Sequence, residues 1–300
     1  MKRAGKFVRV LLRSRWFFCA LILLVCVAAC ALAQVRYASG QNIVPVFEGW
    51  ERNADGSFNM VFGYMNRNYE EQLDIPVGPQ NSIDPAGPDR GQPTHFYRRR
   101  QQFVFKVRVP SDWGNKDLVW TLTFRGQTEK AYGSLLPTGE LGNLVYQENR
   151  GGPGELTFPE EPNQPPSIEM VGSAQRTVTL PETLTLTVEV TDDGHPKAPP
   201  RRANATSSVG GVQLGPGREN PVTQAVVRLD PGVKLGVTWV LYRGETDSVA
   251  FEPMHVAVVD GKATTKVSFH KAGTYRLRAY ADDGVLITPL DVNVTVLPER

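Results

Sequence analysis

The sequence predicts an all-β protein: two β-sandwich modules joined by a Pro/Gly-rich linker and preceded by an N-terminal signal or anchor helix. Three observations lead to this prediction. The chain opens with a basic and then apolar segment, runs that alternate apolar and polar residues recur through the rest of it, and a Pro- and Gly-rich stretch separates two groups of such runs. Its 300 residues suffice for about two domains of ordinary size.

The first 33 residues have the three parts of an export signal. Residues 1–15 carry six basic and no acidic residues, residues 16–33 are uncharged and apolar, and the run ends in Ala31-Leu32-Ala33. A basic start, an apolar core and a small-x-small end are typical of a secretory signal. We therefore expect export to the periplasm, the outer surface or the extracellular medium.

Three fates of this leader stay open. Signal peptidase would cut after Ala33, whereas Val27-Ala28-Ala29-Cys30 resembles a bacterial lipobox that would make Cys30 a lipidated N-terminus. Third, 18 apolar residues are just long enough to span a bilayer uncut, with the basic end inside. We favour cleavage over lipidation, and lipidation over an uncut anchor. In the last two cases the N-terminus would hold the protein at the membrane.

Export changes the charge and the cysteine content of the mature chain. The whole chain has 33 basic and 31 acidic residues; without the six basic residues of the leader, 27 basic residues face 31 acidic ones, a net charge of −4. A mildly acidic protein has no electrostatic reason to bind nucleic acid. All three cysteines, Cys19, Cys26 and Cys30, lie in the leader, so we expect no disulfide, zinc–thiolate site or cysteine nucleophile in the mature chain.

The first module is expected over residues 43–136. The run from Phe103 to Val109 alternates: Phe103, Phe105, Val107 and Val109 are expected to face one way and Lys106 and Arg108 the other, which is the pattern of a half-buried antiparallel strand. Turn-forming residues at 53–57 separate two further β-like runs and predict a hairpin. The long irregular stretch at residues 66–94 is expected to pack back on the sheet.

A linker is expected over residues 137–166, because the prolines and glycines it contains disfavour helix and central strand. The second module, residues 167–297, shows short alternating strands such as Leu184–Val190 separated by turns, as a β-sandwich does. Within it, residues 194–221 are rich in Pro, Gly, Arg and Ser and are expected to form a mobile surface insertion. No helix of ordinary length is expected after the leader.

The second module resembles the immunoglobulin-like β-sandwich repeats of the PKD, cadherin-like and bacterial Ig-like type. Three segments carry the resemblance: Asn163–Pro166 at the entry, Leu184–Val190 ahead of an Asp-Asp-Gly turn, and Gly273–Tyr275 leading a strand into a second Asp-Asp-Gly turn. The resemblance implies a fold rather than a function. The first module resembles one found in uncharacterised exported bacterial proteins, through Pro45–Trp50 and Phe62–Asn68, and this likeness implies no activity.

The sequence predicts no catalytic machinery. The four histidines, His95, His195, His255 and His270, have no metal-ligand spacing, and no HExxH, GxSxG or P-loop motif occurs. A Ser-His-Asp triad assembles in space, so that arrangement stays open. We expect a non-catalytic exported cell-envelope protein, a binding or display module on an Ig-like spacer, with an envelope protein or a polysaccharide as partner. The alternative is a secreted carbohydrate-binding accessory protein, with or without Ca²⁺.

Two acidic pairs suggest a calcium site. Asp192-Asp193 and Asp282-Asp283 each end an expected strand just before a glycine. If the two loops meet, four carboxylates converge, and oxygen-rich clusters suit Ca²⁺. The alternative, which we favour, is turn chemistry, in which aspartate tolerates the turn and glycine supplies a positive φ. Asp192, Asp193, Asp282 and Asp283 are therefore candidate Ca²⁺ ligands, and no other cofactor is expected.

A basic and aromatic run precedes the Phe103 strand. Its candidate ligand-binding residues are His95, Tyr97, Arg98 and Arg99, which would contact a polysaccharide or an acidic ligand through guanidinium and ring stacking. The alternative, which we favour, is a charged flank that keeps the strand entry soluble. Four further aromatic residues would form a carbohydrate platform if exposed, or core if buried: Trp50, Tyr64, Tyr69 and Trp113.

Overall fold

The computed structural model describes residues 37–85, 87–149, 163–195, 208–209, 212–213, 225–230 and 232–299. The leader with Cys30 and most of the insertion expected at residues 194–221 lie outside these ranges. The regular secondary structure of the described residues is almost entirely β-strand, so the predicted all-β fold with β-sandwich modules is confirmed. No helix within them is long and apolar enough to cross a bilayer.

The first module is built from short antiparallel strands. Its strands are β1 (Ile43–Arg52), β2 (Phe58–Asn66), β3 (Leu73–Asp74), β4 (Asn81–Asp84), β5 (His95–Phe96), β6 (Arg99–Val109), β7 (Leu118–Phe124) and β8 (Gln127–Gly133). One sheet has the order β1-β2-β6, a second has the order β4-β7-β8, and β3 pairs with β5. The predicted hairpin is confirmed, since β1 and β2 pair antiparallel across the turn at residues 53–57.

Side chains from both three-stranded sheets form the core of the first module. In β6 Phe105, Val107 and Val109 are buried in this core while Lys106 and Arg108 are exposed, as the alternation predicts. The prediction is wrong for Phe103, which is buried in a different cluster because the β2–β6 register shifts next to it. Trp120 is fully buried and packs edge-on against Phe105, with ring centroids 4.9 Å apart. Its indole N–H donates to Asn81 Oδ1 at 3.0 Å, so this buried polar group has a partner.

The second module is a sandwich of two larger sheets. Its strands are β9 (Ser167–Met170), β10 (Gln175–Thr179), β11 (Leu184–Thr191), β12 (Ser208–Val209), β13 (Val212–Gln213), β14 (Gly236–Arg243), β15 (Val249–Glu252), β16 (His255–Ala257), β17 (Lys262–Phe269), β18 (Gly273–Asp282) and β19 (Ile287–Leu297). The sheets have the orders β10-β19-β18-β14-β16 and β15-β17-β11-β9, and β12 pairs with β13. The orders β9-β11-β17-β15 and β14-β18-β19 correspond to the ABED and CFG sheets of an immunoglobulin-like sandwich.

The two sheets of the second module differ in burial. In β11 and β17 buried and exposed residues alternate, because only one face of their sheet packs on the core. In β14, by contrast, every residue from Gly236 to Tyr242 is buried. Both faces of β14 are therefore covered. One packs on the module's own core, and the other lies against the first module at Tyr242 and against other residues of the second module at Gly236 and Thr238.

A short helix lies within the stretch that we expected to be a helix-free linker. After a 3₁₀ turn at Pro137–Gly139, the chain forms α1 (Asn143–Asn149). This segment contains neither Pro nor Gly, and Tyr146 in it packs on Phe103 with ring centroids 4.5 Å apart. The tertiary contact thus supports a helix too short to be stable alone. Residues 150–162, which hold most of the prolines and glycines of this stretch, lie outside the described ranges.

Candidate functional site

The outer face of β14 and β18 packs against the first module along a contact that we call the seam. The seam consists of Tyr242, Arg243, Arg278 and Tyr280 on one side and Asp89, Gly91, Gln92 and Val104 on the other. Tyr242 packs with the aromatic core of the first module, and its hydroxyl donates to Gly91 O at 2.5 Å. Arg243 pairs with both carboxylate oxygens of Asp89 at 2.8 and 2.9 Å, a contact that lowers the pKa of Asp89 to about 2.

Arg278 is a buried charged residue of the seam, with 8% of its surface exposed. Its guanidinium makes two hydrogen bonds to Asp291, at 2.6 and 3.0 Å, and a third to Val104 O at 3.2 Å across the seam. It also stacks on Tyr242, with Cζ 3.5 Å from the ring centroid. Burial lowers the pKa of Arg278, but Tyr242, Tyr280 and Asp291 raise it by more, so the side chain stays charged.

A further apolar cluster joins the two modules next to α1. Val61 and Phe103 of the first module, Tyr146 of α1, and Val285 and Leu286 from the turn between β18 and β19 are all buried together. The contact between the modules therefore combines an apolar patch with a buried, hydrogen-bonded charge.

A cavity of about 220 Å³ lies along the seam. Its wall is mostly apolar and includes Phe103, Val226, Leu229, Val240, Leu241 and Ile287. Its polar and charged residues include Tyr64, Tyr97, Tyr280, Gln101, Arg228 and Asp282. An apolar pocket with a few convergent polar groups is the usual form of a small-molecule site, which makes this cavity the candidate binding site.

Two tyrosine hydroxyls form a chain of hydrogen bonds at the cavity wall. The Tyr97 N–H donates to the Tyr64 hydroxyl, and the Leu241 N–H donates across the seam to the Tyr97 hydroxyl, both at 2.8 Å. Burial raises the pKa of both tyrosines, so both hydroxyls are neutral. Among the described residues the structure shows no acceptor for the Tyr97 hydroxyl hydrogen. That hydroxyl is therefore able to donate to a bound molecule.

The strand that carries the cavity wall contains strained backbone. Arg99 and Phe103 have φ values of 62° and 52°, in the left-handed region that favours glycine, and the β2–β6 register shifts between Phe62 and Tyr64. Each such residue costs roughly 1–2 kcal/mol. The distortion places Phe103 both at the cavity and against Tyr146. Strain of this kind persists only where surrounding contacts hold it, as at binding sites.

The candidate residue His95 is buried and engaged by the protein itself. Its Nδ1 lies 2.7 Å from Asp74 Oδ1, and its Nε2 lies 2.8 Å from Gln72 Oε1. Asp74 also accepts a hydrogen bond from the Thr246 N–H across the seam. A His–Asp pair is thus present at the cavity wall, but the nitrogen that would activate a serine faces an amide.

The structure separates the remaining candidates for ligand binding. Tyr97 joins His95 at the cavity, whereas neither Arg98 nor Arg99 belongs to the described cavity wall. Arg98 is exposed. Arg99 stacks on Tyr69 at 3.8 Å and donates to Arg67 O. Of the other aromatic residues weighed as a carbohydrate platform, Trp50, Tyr64 and Trp113 are buried in the first module's core.

The two Asp-Asp-Gly turns lie close together. The Asn163 amide donates to Asp283 Oδ2 at 3.1 Å, and the next residue, Gln164, donates its N–H to Asp193 Oδ2 at 2.9 Å. Desolvation chiefly raises the pKa of Asp283, and the charge of Asp192 adds to the shift. No group of three or more His, Cys, Asp or Glu in the described part of the chain is placed to hold a metal ion.

Each of these aspartates also accepts hydrogen bonds from its own turn. Asp192 accepts from the Gly194 N–H and Asp282 from the Gly284 N–H, each two residues further on. Asp193 and Asp283 do the same within their turns. This is the turn chemistry that the sequence favoured.

Sequence reasoning missed the seam. Arg278 lies in the strand that was expected after Gly273–Tyr275, and Asp89 lies in the irregular stretch at residues 66–94; neither residue was predicted to form a contact between the modules. One signal was available: Val237–Tyr242 lacks the polar alternation of the neighbouring strands, and such runs are typical of strands buried on both faces.

Comparison with known proteins adds little beyond the fold. No family model and no curated protein matches the chain, so the resemblance of the first module to an exported bacterial family is unsupported. Solved structures that resemble it include domains 4 and 5 of the S-layer protein SbsC, with 9% identity over 61% of this chain and 66% of that one, and a TM-score of 0.25. The human KIAA0319 PKD domain has 18% identity over 50% and 95% of the two chains, with a TM-score of 0.24. Fibronectin(III)-like modules of Clostridium thermocellum CbhA have 9% identity over 84% and 91%, with a TM-score of 0.22. Similarities this low carry no argument about function.

Proposed function

We propose that the chain is an exported, non-catalytic protein of the cell envelope, in which the Ig-like sandwich holds the first module in a fixed orientation for binding. The predicted leader supports export. The observation that carries the rest is the seam, because a spacer that let the first module swing freely would not bury Arg278 against it.

The energetics of the seam support a rigid arrangement. Neighbouring domains move relative to one another unless their interface is large and apolar. Here the first module covers the Tyr242 end of β14, and opening the seam would remove the Val104 contact of a buried charged side chain and expose Tyr242. We therefore expect the two modules to move as one body.

The surroundings of His95 support the absence of catalysis. Both ring nitrogens lie within 2.8 Å of acceptor atoms of Asp74 and Gln72. The ring therefore has a structural role beside the seam and no nitrogen left to activate a nucleophile. The test is hydrolysis of p-nitrophenyl acetate by the purified protein. Turnover that disappears in His95→Ala and persists in a surface variant, His270→Ala, would overturn this part of the proposal.

Export and rigidity are tested separately. Cell fractionation with mass spectrometry of the mature N-terminus distinguishes a chain starting at Gln34, a lipidated Cys30 and an uncut leader; an uncut chain in the cytoplasm contradicts export. For rigidity, NMR relaxation of backbone amides should give one rotational correlation time for both modules. Two clearly different correlation times would show that the first module is tethered rather than held.

A second candidate is a Ca²⁺-dependent carbohydrate-binding protein. It is favoured by the two adjoining acidic turns, where Asp192 Oδ1 and Asn163 Oδ1 are buried without a hydrogen-bond partner among the described residues. Calcium would then raise the unfolding temperature of the purified protein, EDTA would reverse the change, and Asp192→Asn would abolish it. No change with calcium in the wild-type protein would eliminate this candidate.

A further inference from the structure

We propose that the seam cavity is a binding site for a neutral small molecule that carries a ring and an acceptor oxygen. The proposal rests on the proposed function as a binding protein and names the class of ligand. It depends on three observations: the size of the cavity, the chemistry of its wall, and the hydroxyl of Tyr97.

Size and wall chemistry select a ring-bearing apolar molecule. A cavity of 150 Å³ lined by apolar side chains is enough to hold benzene. The seam cavity, at about 220 Å³, leaves room for a substituted ring. Phe103, Val240 and Leu241 offer such a ring apolar contact, and the burial of this apolar surface would drive binding.

The polar groups of the cavity wall favour a ligand that is uncharged and carries a hydrogen-bond acceptor. Gln101 is already engaged, since its oxygen accepts from the Val226 N–H and its amide donates to Arg98 O. Asp282 accepts from the Gly284 N–H, and Arg228, the positive group of the wall, is exposed to solvent. An anionic ligand would therefore be desolvated without a buried positive counter-charge, and next to the buried carboxyl group of Asp282. The Tyr97 hydroxyl accepts from the Leu241 N–H and has no acceptor for its own hydrogen within the described ranges, so that hydrogen is placed to bind an acceptor oxygen.

The test compares three probes on the purified protein: acetophenone (a neutral ring with a carbonyl), ethylbenzene (a neutral ring without oxygen) and benzoate (a charged ring). NMR titration should show acetophenone binding with shifts at Tyr97, Phe103 and Val226. Ethylbenzene should bind the same site several-fold more weakly, and benzoate should not bind there. Shifts confined to other regions, or no binding of either neutral probe, would overturn the proposal.

Two variants assign the site. Val226→Trp places a large ring in the cavity from its half-buried wall and should abolish acetophenone binding, whereas Val171→Trp, the same change at an exposed position, should leave binding intact. Tyr97→Phe should weaken acetophenone about three- to tenfold, the value of one hydrogen bond, and leave ethylbenzene unchanged. Undiminished binding to a folded Val226→Trp protein contradicts the proposal. None of these results depends on where the cell delivers the protein, so the proposed export is judged independently.

Discussion

The two outer faces of the second sandwich show how the same fold produces a solvent surface and an interface. On the sheet that contains β11 and β17, the outer face carries the half-buried Thr187 paired with the exposed Thr264, and Glu189 near Lys262, both exposed. On the sheet that contains β14 and β18, the outer face carries Val240 and Arg278, which are both buried, Arg278 with a hydrogen bond to Val104 O of the first module. Both pairs of residues lie opposite one another in antiparallel ladders, Thr187 opposite Thr264 and Val240 opposite Arg278, so the difference lies in the side chains.

This comparison shows that a charged side chain is buried only where hydrogen bonds and an opposite charge replace the water around it. Lys262 and Glu189 lie 3.5 Å apart with more than half of each side chain in water, where such a pair contributes little. Arg278 has Asp291, Val104 O and the ring of Tyr242 arranged around it. Four changes, from the largest expected effect to the smallest, test this difference.

The largest effect is expected for Arg278→Met. Removing one partner of a buried pair typically costs 3–5 kcal/mol. Because Asp291 is one-third exposed and regains solvent, we expect a loss of about 3 kcal/mol in the free energy of unfolding, measured by urea denaturation. The matched control is Arg276→Met, two residues away in β18, whose contact with the same Asp291 is at 4.0 Å and partly exposed. Equal losses in both variants would show that burial at the seam adds nothing.

A smaller loss is expected for Val240→Ala. Val240 is 3% exposed and lies on the seam face of β14, so truncation removes about two buried methyl groups and costs about 2 kcal/mol. Val171→Ala, at a residue 42% exposed, should change the free energy of unfolding by less than about 0.5 kcal/mol. If Val240→Ala behaves like its control, the outer face of β14 is not covered in solution.

Acid should weaken the seam over a defined range. The pKa of Asp89 is lowered from 3.8 to about 2, chiefly by its hydrogen bonds from Arg243, so this carboxylate stabilises the fold above pH 3.8. That contribution should be lost as the pH falls from about 3.8 to about 2. We expect Asp89→Asn to remove this part of the pH dependence, because aspartates elsewhere titrate identically in both proteins. Parallel stability curves for the two proteins between pH 2 and 4 would contradict the assignment.

The smallest effect is expected on the solvent face. Lys262→Ala, which removes the exposed partner of Glu189, should alter the free energy of unfolding by less than about 0.5 kcal/mol. Raising the salt concentration should reduce even that difference. A loss comparable to that of Arg278→Met would mean that exposure does not distinguish the two faces.

The amino-acid sequence by itself determined the β-structure. Period-two alternation in Phe105–Val109 and Leu184–Val190 appears as strands with one buried face, and the turn at residues 53–57 joins a hairpin. Both signals are local, since alternation follows from the pleat and the turn from a few residues. The Asp-Asp-Gly turns were predictable for the same reason.

The seam was decided by tertiary structure. Whether Arg278 lies in water or under Tyr242 depends on contacts with residues more than a hundred positions away, such as Val104, and no local pattern records them. Likewise, α1 forms where the composition predicted a linker, because Tyr146 packs against the ring of Phe103 in a tertiary contact. A β-strand has two faces, and the alternate residues in its sequence show whether each face is apolar or charged. Only the packing of the modules shows what lies against that face.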